Sequence, residues 1–337
     1  MHDFLFEMLQ CPACHAGLDW QIEDRRGQRV EMADATCRSC DTCYPVREGI
    51  GVFLTSDLSR DDLWVQMDGW LPKYLQEHPD IEYRLMESPL EELGPADQRF
   101  RANVLEERGQ FDEARATRES ATPIYTAQHL SASASQIDFV VERLSSGTGP
   151  VIDLASGAGG LIEEMARNLT RPVVATDFSP TILRRARRRL EHFGLYGDVS
   201  LVAFDARRTP FRDGSIKTMT SYVGLSNLRD PGTVLDELRR IIDGEFLSIC
   251  HFFDLADEAN ARAIRELRLD YLYRGATTEA FTNAGWRAEV ANSVLARAEP
   301  TPRSVLLGAG IDGLPVTETE LEFCVLMAQS CPVAGVR

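Results

Sequence analysis

Beyond residue 146 the apolar positions fall into two alternating forms. Short unbroken runs, in Val151, Ile152 and Leu154, in PVVAT (172–176) and in VSLVAF (199–204), are separated by helix-spaced beats such as LIEEMARNL (161–169) and TVLDELRRII (233–242). Unbroken runs of that length mark strands of a parallel sheet buried on both faces, and the spaced beats mark the helices that cover it. The alternation predicts a doubly wound α/β sheet. GEFLSICHFF supplies a fifth strand, and AFTNAGWRAEVANSVLA and LEFCVLMAQ read as the two final ones. From Ser56 to Leu144 the chain is charged and helix-compatible, with beats at Leu63, Met67, Leu71 and Tyr74 and no strand pattern or repeat. Ahead of it, QIEDRRGQRVEMADAT fits a hairpin turning at Gly27. Three segments follow: residues 1–55, a helical linker and lid over 56–145, and an α/β domain over 146–337.

Composition narrows the reading. A chain of 337 residues with 44% hydrophobic content can hold two domains and a sizeable core. MHDFLFEMLQ carries acids where a signal peptide needs basic residues, and no apolar run reaches bilayer length, so no membrane partner and a cytoplasmic setting are expected. The formal charge of -16 repels phosphate backbones and disfavours nucleic acid. The one basic patch, RRARRRL from Arg184 to Leu190, reads as the solvated face of a helix.

Five of the eight cysteines lie between residues 11 and 43, whereas Cys250, Cys324 and Cys331 are scattered. CPAC and CRSC each present two thiolates on a tight turn, and two such knuckles close the tetrahedral shell that zinc prefers. Cys11, Cys14, Cys37 and Cys40 are therefore the expected ligands of a structural Zn2+, favoured over disulfides because no signal peptide is seen. LQCPAC with CRSCDTCYPVREGIGVFL resembles the small zinc-ribbon proteins that activate methyltransferases as partner subunits. Cys43 falls outside the ligand positions and is expected to be a small buried residue.

VIDLASGAGG turns a strand into a helix through small residues, so backbone N–H groups can approach a ligand at a helix amino terminus. A dinucleotide fingerprint would need glycine at Ile162. The pattern instead resembles the first motif of class I S-adenosylmethionine (SAM) methyltransferases, with Ala155 where glycine is commonest. That resemblance implies a Rossmann-like seven-stranded methyltransferase sheet whose last two strands are antiparallel. It also implies SAM as cofactor, with Asp153 near the methionine ammonium and Ala155, Gly157 and Gly159 admitting the ligand. Asp177 would accept the ribose hydroxyls, Phe178 would cover the adenine, and Asp205 with Ala206 would reach the adenine amino group. The spacings from Asp153 to Asp177 to Asp205 each hold one helix and one strand, which brings all three acids to the carboxyl edge of one sheet.

PFRDGSIKTMTSYVGLSNLRDP resembles the fourth-strand region of the quinone C-methyltransferases, with Lys217 in place of an aspartate. The Pro-Gly-Gly usual before the fifth strand is reduced to Asp243 and Gly244, and no NPPY or DPPY occurs. Position beyond the strands nominates Tyr222 and His251 as reacting groups and Asn227 as a substrate contact; Tyr125, His129 and Trp70 are lid candidates. The expected activity is SAM-dependent methyl transfer to O, N or C of a small organic molecule, with a homodimer left open. An rRNA or tRNA methyltransferase with a recognition ribbon, or an idle SAM-fold module that binds protein, are the alternatives.

Overall fold

The amino-terminal segment opens with a short helix, α1 (Leu5–Met8), and continues as four strands, β1 (Leu18–Arg26), β2 (Arg29–Cys37), β3 (Cys43–Arg47) and β4 (Ile50–Phe53). The computed structural model describes residues 1–58, 63–228 and 231–330. Cys331 and the side chains of Leu63 and Met67 lie outside the described residues. β1 and β2 form the expected hairpin, antiparallel from Leu18 opposite Cys37 to Arg26 opposite Arg29. Along β2, Val30, Ala33, Ala35 and Cys37 are buried. Cys43 is exposed, contrary to expectation. It opens β3 immediately before buried Tyr44, and successive strand residues point to opposite faces.

Helices α2 (Leu63–Glu77), α3 (Pro79–Glu87), α4 (Pro95–Glu107), α5 (Phe111–Ser120) and α6 (Ala127–Ser145) fill the middle of the chain. Trp70 packs within this layer, 5.6 Å from the Tyr74 ring and 6.3 Å from Phe100.

The carboxyl-terminal half alternates as its pattern predicts: β5 (Val151–Asp153), α7 (Gly160–Asn168), β6 (Val173–Asp177), α8 (Pro180–His192), β7 (Val199–Phe204), β8 (Ile216–Tyr222), α9 (Pro231–Ile241) and β9 (Ile242–Phe253). Helices α10 (Glu258–Leu267) and α11 (Arg274–Asn283) precede β10 (Trp286–Ala298) and β11 (Thr319–Ser330), an antiparallel pair. AFTN, read as strand in the sequence, belongs to α11; the chain turns at Gly285, with φ of 80°, before β10 begins. Every residue of β6 and β7 is buried, as strands covered on both faces require. Ile182, Leu183, Ala186 and Leu190 form the buried stripe of α8.

The sheet has eleven strands rather than seven, in the order β1-β2-β3-β4-β7-β6-β5-β8-β9-β11-β10. The seven strands from β5 to β11 are present as expected, and the four amino-terminal ones extend them. β4 pairs in parallel with β7, from Ile50 beside Leu201 to Phe53 beside Phe204. Without β4, the apolar strand β7 would be an edge with unpaired N–H and C=O groups, so IGVF satisfies what would otherwise be an exposed template.

The arginine run on α8 is also reassigned. Arg184 faces Glu48 at 3.6 Å, Arg185 faces Glu107 at 2.8 Å, Arg187 faces Glu31 at 3.0 Å and Arg189 faces Glu163 at 2.8 Å. These partners lie on the ribbon, on the middle helices and on α7, so the helix is a charged staple between layers and not a solvated face. Lys217 and Asp243, the two departures from the family pattern, form an exposed ion pair with each other.

Candidate functional site

Three hydrogen-bonded layers shape the turn after β5. The Leu154 amide donates to the Thr220 carbonyl at 2.8 Å, the Ser156 amide to the Thr176 carbonyl at 2.8 Å, and the Gly157 amide to Asp177 Oδ2 at 2.9 Å. Ala155, Gly157 and Gly159 all have positive φ, at 54°, 51° and 79°. Gly224, after β8, has to lack a side chain, because a Cβ there would stand 2.8 Å from the Ala155 methyl. This close approach lets the β5 and β8 loops share one wall.

The turn borders a cavity of about 480 Å³, within the range of cofactor sites. Ala155, Gly157, Gly159, Asp177, Phe178, Asp205, Ala206, Tyr222 and Asn227 all line it. Asp177 is 6% exposed and also accepts from the Ser179 amide at 3.0 Å, so its oxygens are fixed at the carboxyl end of β6. Asp205, at the end of β7, is held by Arg207, whose Nε and Nη2 donate to its two oxygens at 2.9 and 2.6 Å. Asp153 does not line the cavity. It is buried beneath the turn, accepts from Thr220 Oγ1 at 2.6 Å, and burial pushes its carboxyl up to about 7.

The four knuckle cysteines converge in the amino-terminal segment. Their sulfurs all lie within 4.8 Å of one another, with Cys11 to Cys40 at 3.7 Å and Cys14 to Cys37 at 3.4 Å. Zn–S bonds of about 2.3 Å in a tetrahedron place sulfurs about 3.8 Å apart, so this donor set fits zinc. The Ser39 and Cys40 amides donate to Cys37 Sγ at 3.4 and 3.5 Å.

Residues 151–244 match the family described as a methyltransferase domain. The matched residues take in the glycine turn, all three carboxyl-edge acids and the cavity wall as far as α9. The chain is 32% identical over 94 residues to the ubiquinone/menaquinone biosynthesis C-methyltransferase UbiE of Escherichia coli, covering 27% of this chain and 38% of that protein. It therefore spans well under half the length of the curated relatives it matches. Among solved structures it is similar to the YcgJ protein of Bacillus subtilis, with a TM-score of 0.47, 14% identity and coverage of 59% of this chain and 100% of that one. It is also similar to geranyl diphosphate C-methyltransferase from Streptomyces coelicolor A3(2), with a TM-score of 0.43, 13% identity and coverage of 59% and 76%.

At the far wall of the cavity stands Tyr222. Burial raises its hydroxyl above the ordinary range, with Ser133 offsetting part of the shift, so it is a protonated phenol at neutral pH. Beyond it lies a ring cluster that does not line the cavity. Tyr125 stacks on His129 at 4.5 Å, and His129 meets His251 at 5.8 Å and Phe323 at 4.9 Å. Tyr125 Oη donates to Asp312 Oδ2 at 2.9 Å. Burial lowers His251 to about 3, and its Nε2 is buried without a hydrogen-bond partner among the described residues. Of the two nominated reacting groups, Tyr222 lines the cavity and His251 does not.

Sequence reasoning missed Phe204, Arg207 and Val234 of the cavity wall, and Arg99 and Asp312 of the outer cluster. Phe204 and Val234 were legible as the last apolar position of β7 and a buried beat of α9. Arg207, Arg99 and Asp312 carry no local signal.

Proposed function

We propose that this chain is a SAM-dependent methyltransferase acting on a small organic molecule at O, N or C. The observation that carries the reading is the convergence of a glycine turn, Asp177 and Asp205 on one cavity within the matched domain. Asp177 has lone pairs facing a ribose, Phe178 offers an apolar cover for adenine, and Asp205 Oδ2 keeps room for an amino donor beside Arg207. SAM, when bound, supplies a methyl group on a sulfonium. Methyl transfer requires chiefly in-line approach of the nucleophile, and Tyr222 and Asn227 are placed to orient it. Tyr222 would act as a hydrogen-bond donor, since its proton is retained. His251, buried against His129 and Phe323, is assigned no proton transfer in this reading.

The acidic balance and the engagement of the α8 arginines in ion pairs support a small-molecule acceptor over RNA. The pairing of Lys217 with Asp243 keeps both departures on the surface, away from the cavity, which removes the reason to read the fold as idle. We further assign one structural zinc to Cys11, Cys14, Cys37 and Cys40; four thiolates leave no open position, so the metal takes no part in transfer. A reducing, cytoplasmic setting would keep these thiols available. Among the described residues no helix is long and apolar enough to cross a membrane.

Calorimetric titration with SAM and S-adenosylhomocysteine tests the reading. Asp177→Ala should cost about 1.5 to 3 kcal/mol per charged hydrogen bond lost to ribose. Unchanged affinity in the variant, or a parent that prefers NAD, would show the site to be misassigned.

A further inference from the structure

At the centre of the sheet the strands run β7-β6-β5-β8, and residues at or just past the carboxyl end of each line the cavity. Under the methyltransferase reading Asp205, after β7, faces adenine and Asp177, on β6, faces the ribose. A nucleoside laid along this edge therefore points its 5′ carbon toward β5 and β8. There the wall consists of Ala155, Tyr222, Val223 and Gly224. The sulfur of the cofactor, and the group it transfers, belong to this end.

Val223 directly follows the last residue of β8 and has a φ of 54°. Among the described residues seven non-glycine positions have positive φ, and Val223 is the only β-branched one. Branching at Cβ makes the left-handed region costly, so something must impose it. The Val223 amide donates to the Ile249 carbonyl at 3.0 Å, which continues the β8–β9 pairing. The Val223 carbonyl accepts from Ser226 Oγ at 3.2 Å and from Asn227 Nδ2 at 3.3 Å. The next residue, Gly224, is pressed against Ala155, which pins the chain on the other side. Glycine at 223 would make the same three hydrogen bonds, since all use main-chain atoms of that residue, and would do so without strain. What glycine would lack is the isopropyl group. With its main chain engaged on both sides, that group is what residue 223 offers to the cavity it lines. Strain kept in the wall of a site points to a use for the side chain that causes it.

We propose that Val223 is a specificity-determining residue: its isopropyl group closes the sulfonium end of the cavity and restricts the transferable group on sulfur to methyl. This rests on the methyltransferase reading and deepens it. In the transfer an electron pair of the acceptor forms the bond to the methyl carbon as the carbon–sulfur bond breaks, and the pair from that bond stays on sulfur as the thioether. A longer alkyl group on sulfur needs room beside the same wall. Val223 gives little, because its backbone is pinned and a β-branched side chain is stiff at χ1. Opposite it, Ala155 is held under Gly224 in a left-handed conformation of its own.

The test titrates the full chain with S-adenosylhomocysteine, SAM and the S-ethyl and S-propyl homologues of SAM. Each sulfonium is read relative to S-adenosylhomocysteine in the same protein, so that general damage to the site cancels. In the parent the S-propyl homologue should bind at least about tenfold more weakly than SAM, the discrimination that a rigid pocket makes per added carbon. Val223→Ala should narrow that gap, Val223→Gly should close it, and Val223→Ile should extend the penalty to the S-ethyl homologue. A merely structural role would weaken all four ligands together and leave the ratios as in the parent. If Val223→Gly does not fold, Val223→Ala against Val223→Ile carries the same comparison. A parent that binds the S-propyl homologue as tightly as SAM, or ratios that stay unchanged in Val223→Ala and Val223→Ile, would overturn the proposal. Failure of the parent to bind either SAM or S-adenosylhomocysteine would instead sink the methyltransferase reading, and that failure is read from the first two titrations alone.

Discussion

Ala155 occupies a left-handed backbone conformation, φ 54°, at the position where related turns most often carry glycine. A Cβ in that region costs roughly 1 kcal/mol, and the methyl lies under Gly224 with no space to spare. Ala155→Gly is therefore expected to be neutral or to stabilise by up to about 1 kcal/mol, the relief of strain being partly offset by the freer unfolded chain. Chemical denaturation of parent and variant measures this, and a loss above about 1 kcal/mol would mean that the methyl packs usefully. Asp153, beneath the same turn, makes a second prediction. Its folded pKa of about 7 lies above the unfolded value of 3.8. Both states are protonated below 3.8, and the folded state then resists ionisation, so this group's contribution falls as pH rises from about 4 to 7 and stays low above. Asp153→Asn removes the ionisation and keeps the shape. The melting temperature of the variant relative to the parent should thus be higher at pH 8 than at pH 5, and a pH-independent difference would show that Asp153 is ionised in the fold.

Elements that repeat a local pattern were the legible ones. Strands β5, β6 and β7 and helices α7 to α9 follow from short apolar runs and four-residue beats, because each is decided by its own burial. The three carboxyl-edge acids were legible for the same reason: one helix and one strand separate each pair, and that fixes the edge they reach. What was not legible depends on partners far along the chain. The α8 arginines read as solvated because nothing local reveals Glu31, Glu48 or Glu107, and AFTN read as strand because its helix is decided by the turn at Gly285. Asp97, in the first turn of α4, anchors the excursion between β10 and β11 and carries an element-scale prediction. Asp97→Ala leaves the Ser304 hydroxyl and two amides without their acceptor, at about 1 to 3 kcal/mol for each group that stays buried. Amide hydrogen exchange should quicken through residues 303–308, while exchange in β5 and β6 stays as in the parent. Equal exchange in the excursion would mean that Leu307, buried against Leu71 and Phe100, holds it without the carboxylate.

Across the whole molecule, the ribbon is part of the same sheet that carries the cavity. Beyond the β4–β7 pairing, the Gln10 amide donates to the Pro210 carbonyl at 2.7 Å and the Arg212 amide to the Met8 carbonyl at 2.8 Å. Cys11 is buried in the same apolar cluster as Leu9, Phe204 and Phe211. Loss of metal should therefore travel first into β7 and the segment after it, where Asp205 and Arg207 stand, and only then into β6 and β5. A ribbon of this size cannot hold itself together by its own core, so Cys11→Ser should release the zinc and lower the melting temperature. S-adenosylhomocysteine should still bind, because Asp177 and the glycine turn lie one and two strands further from β4. Its affinity should fall, and the fall should come from the adenine end: S-inosylhomocysteine, which lacks the amino group, should lose less affinity than S-adenosylhomocysteine on the same substitution. Elemental analysis checks the metal, and paired titrations check the direction of spread. Undiminished affinity in a metal-free variant would show that β7 keeps its geometry without the ribbon's support, and equal losses for the two ligands would show that the damage does not enter through Asp205.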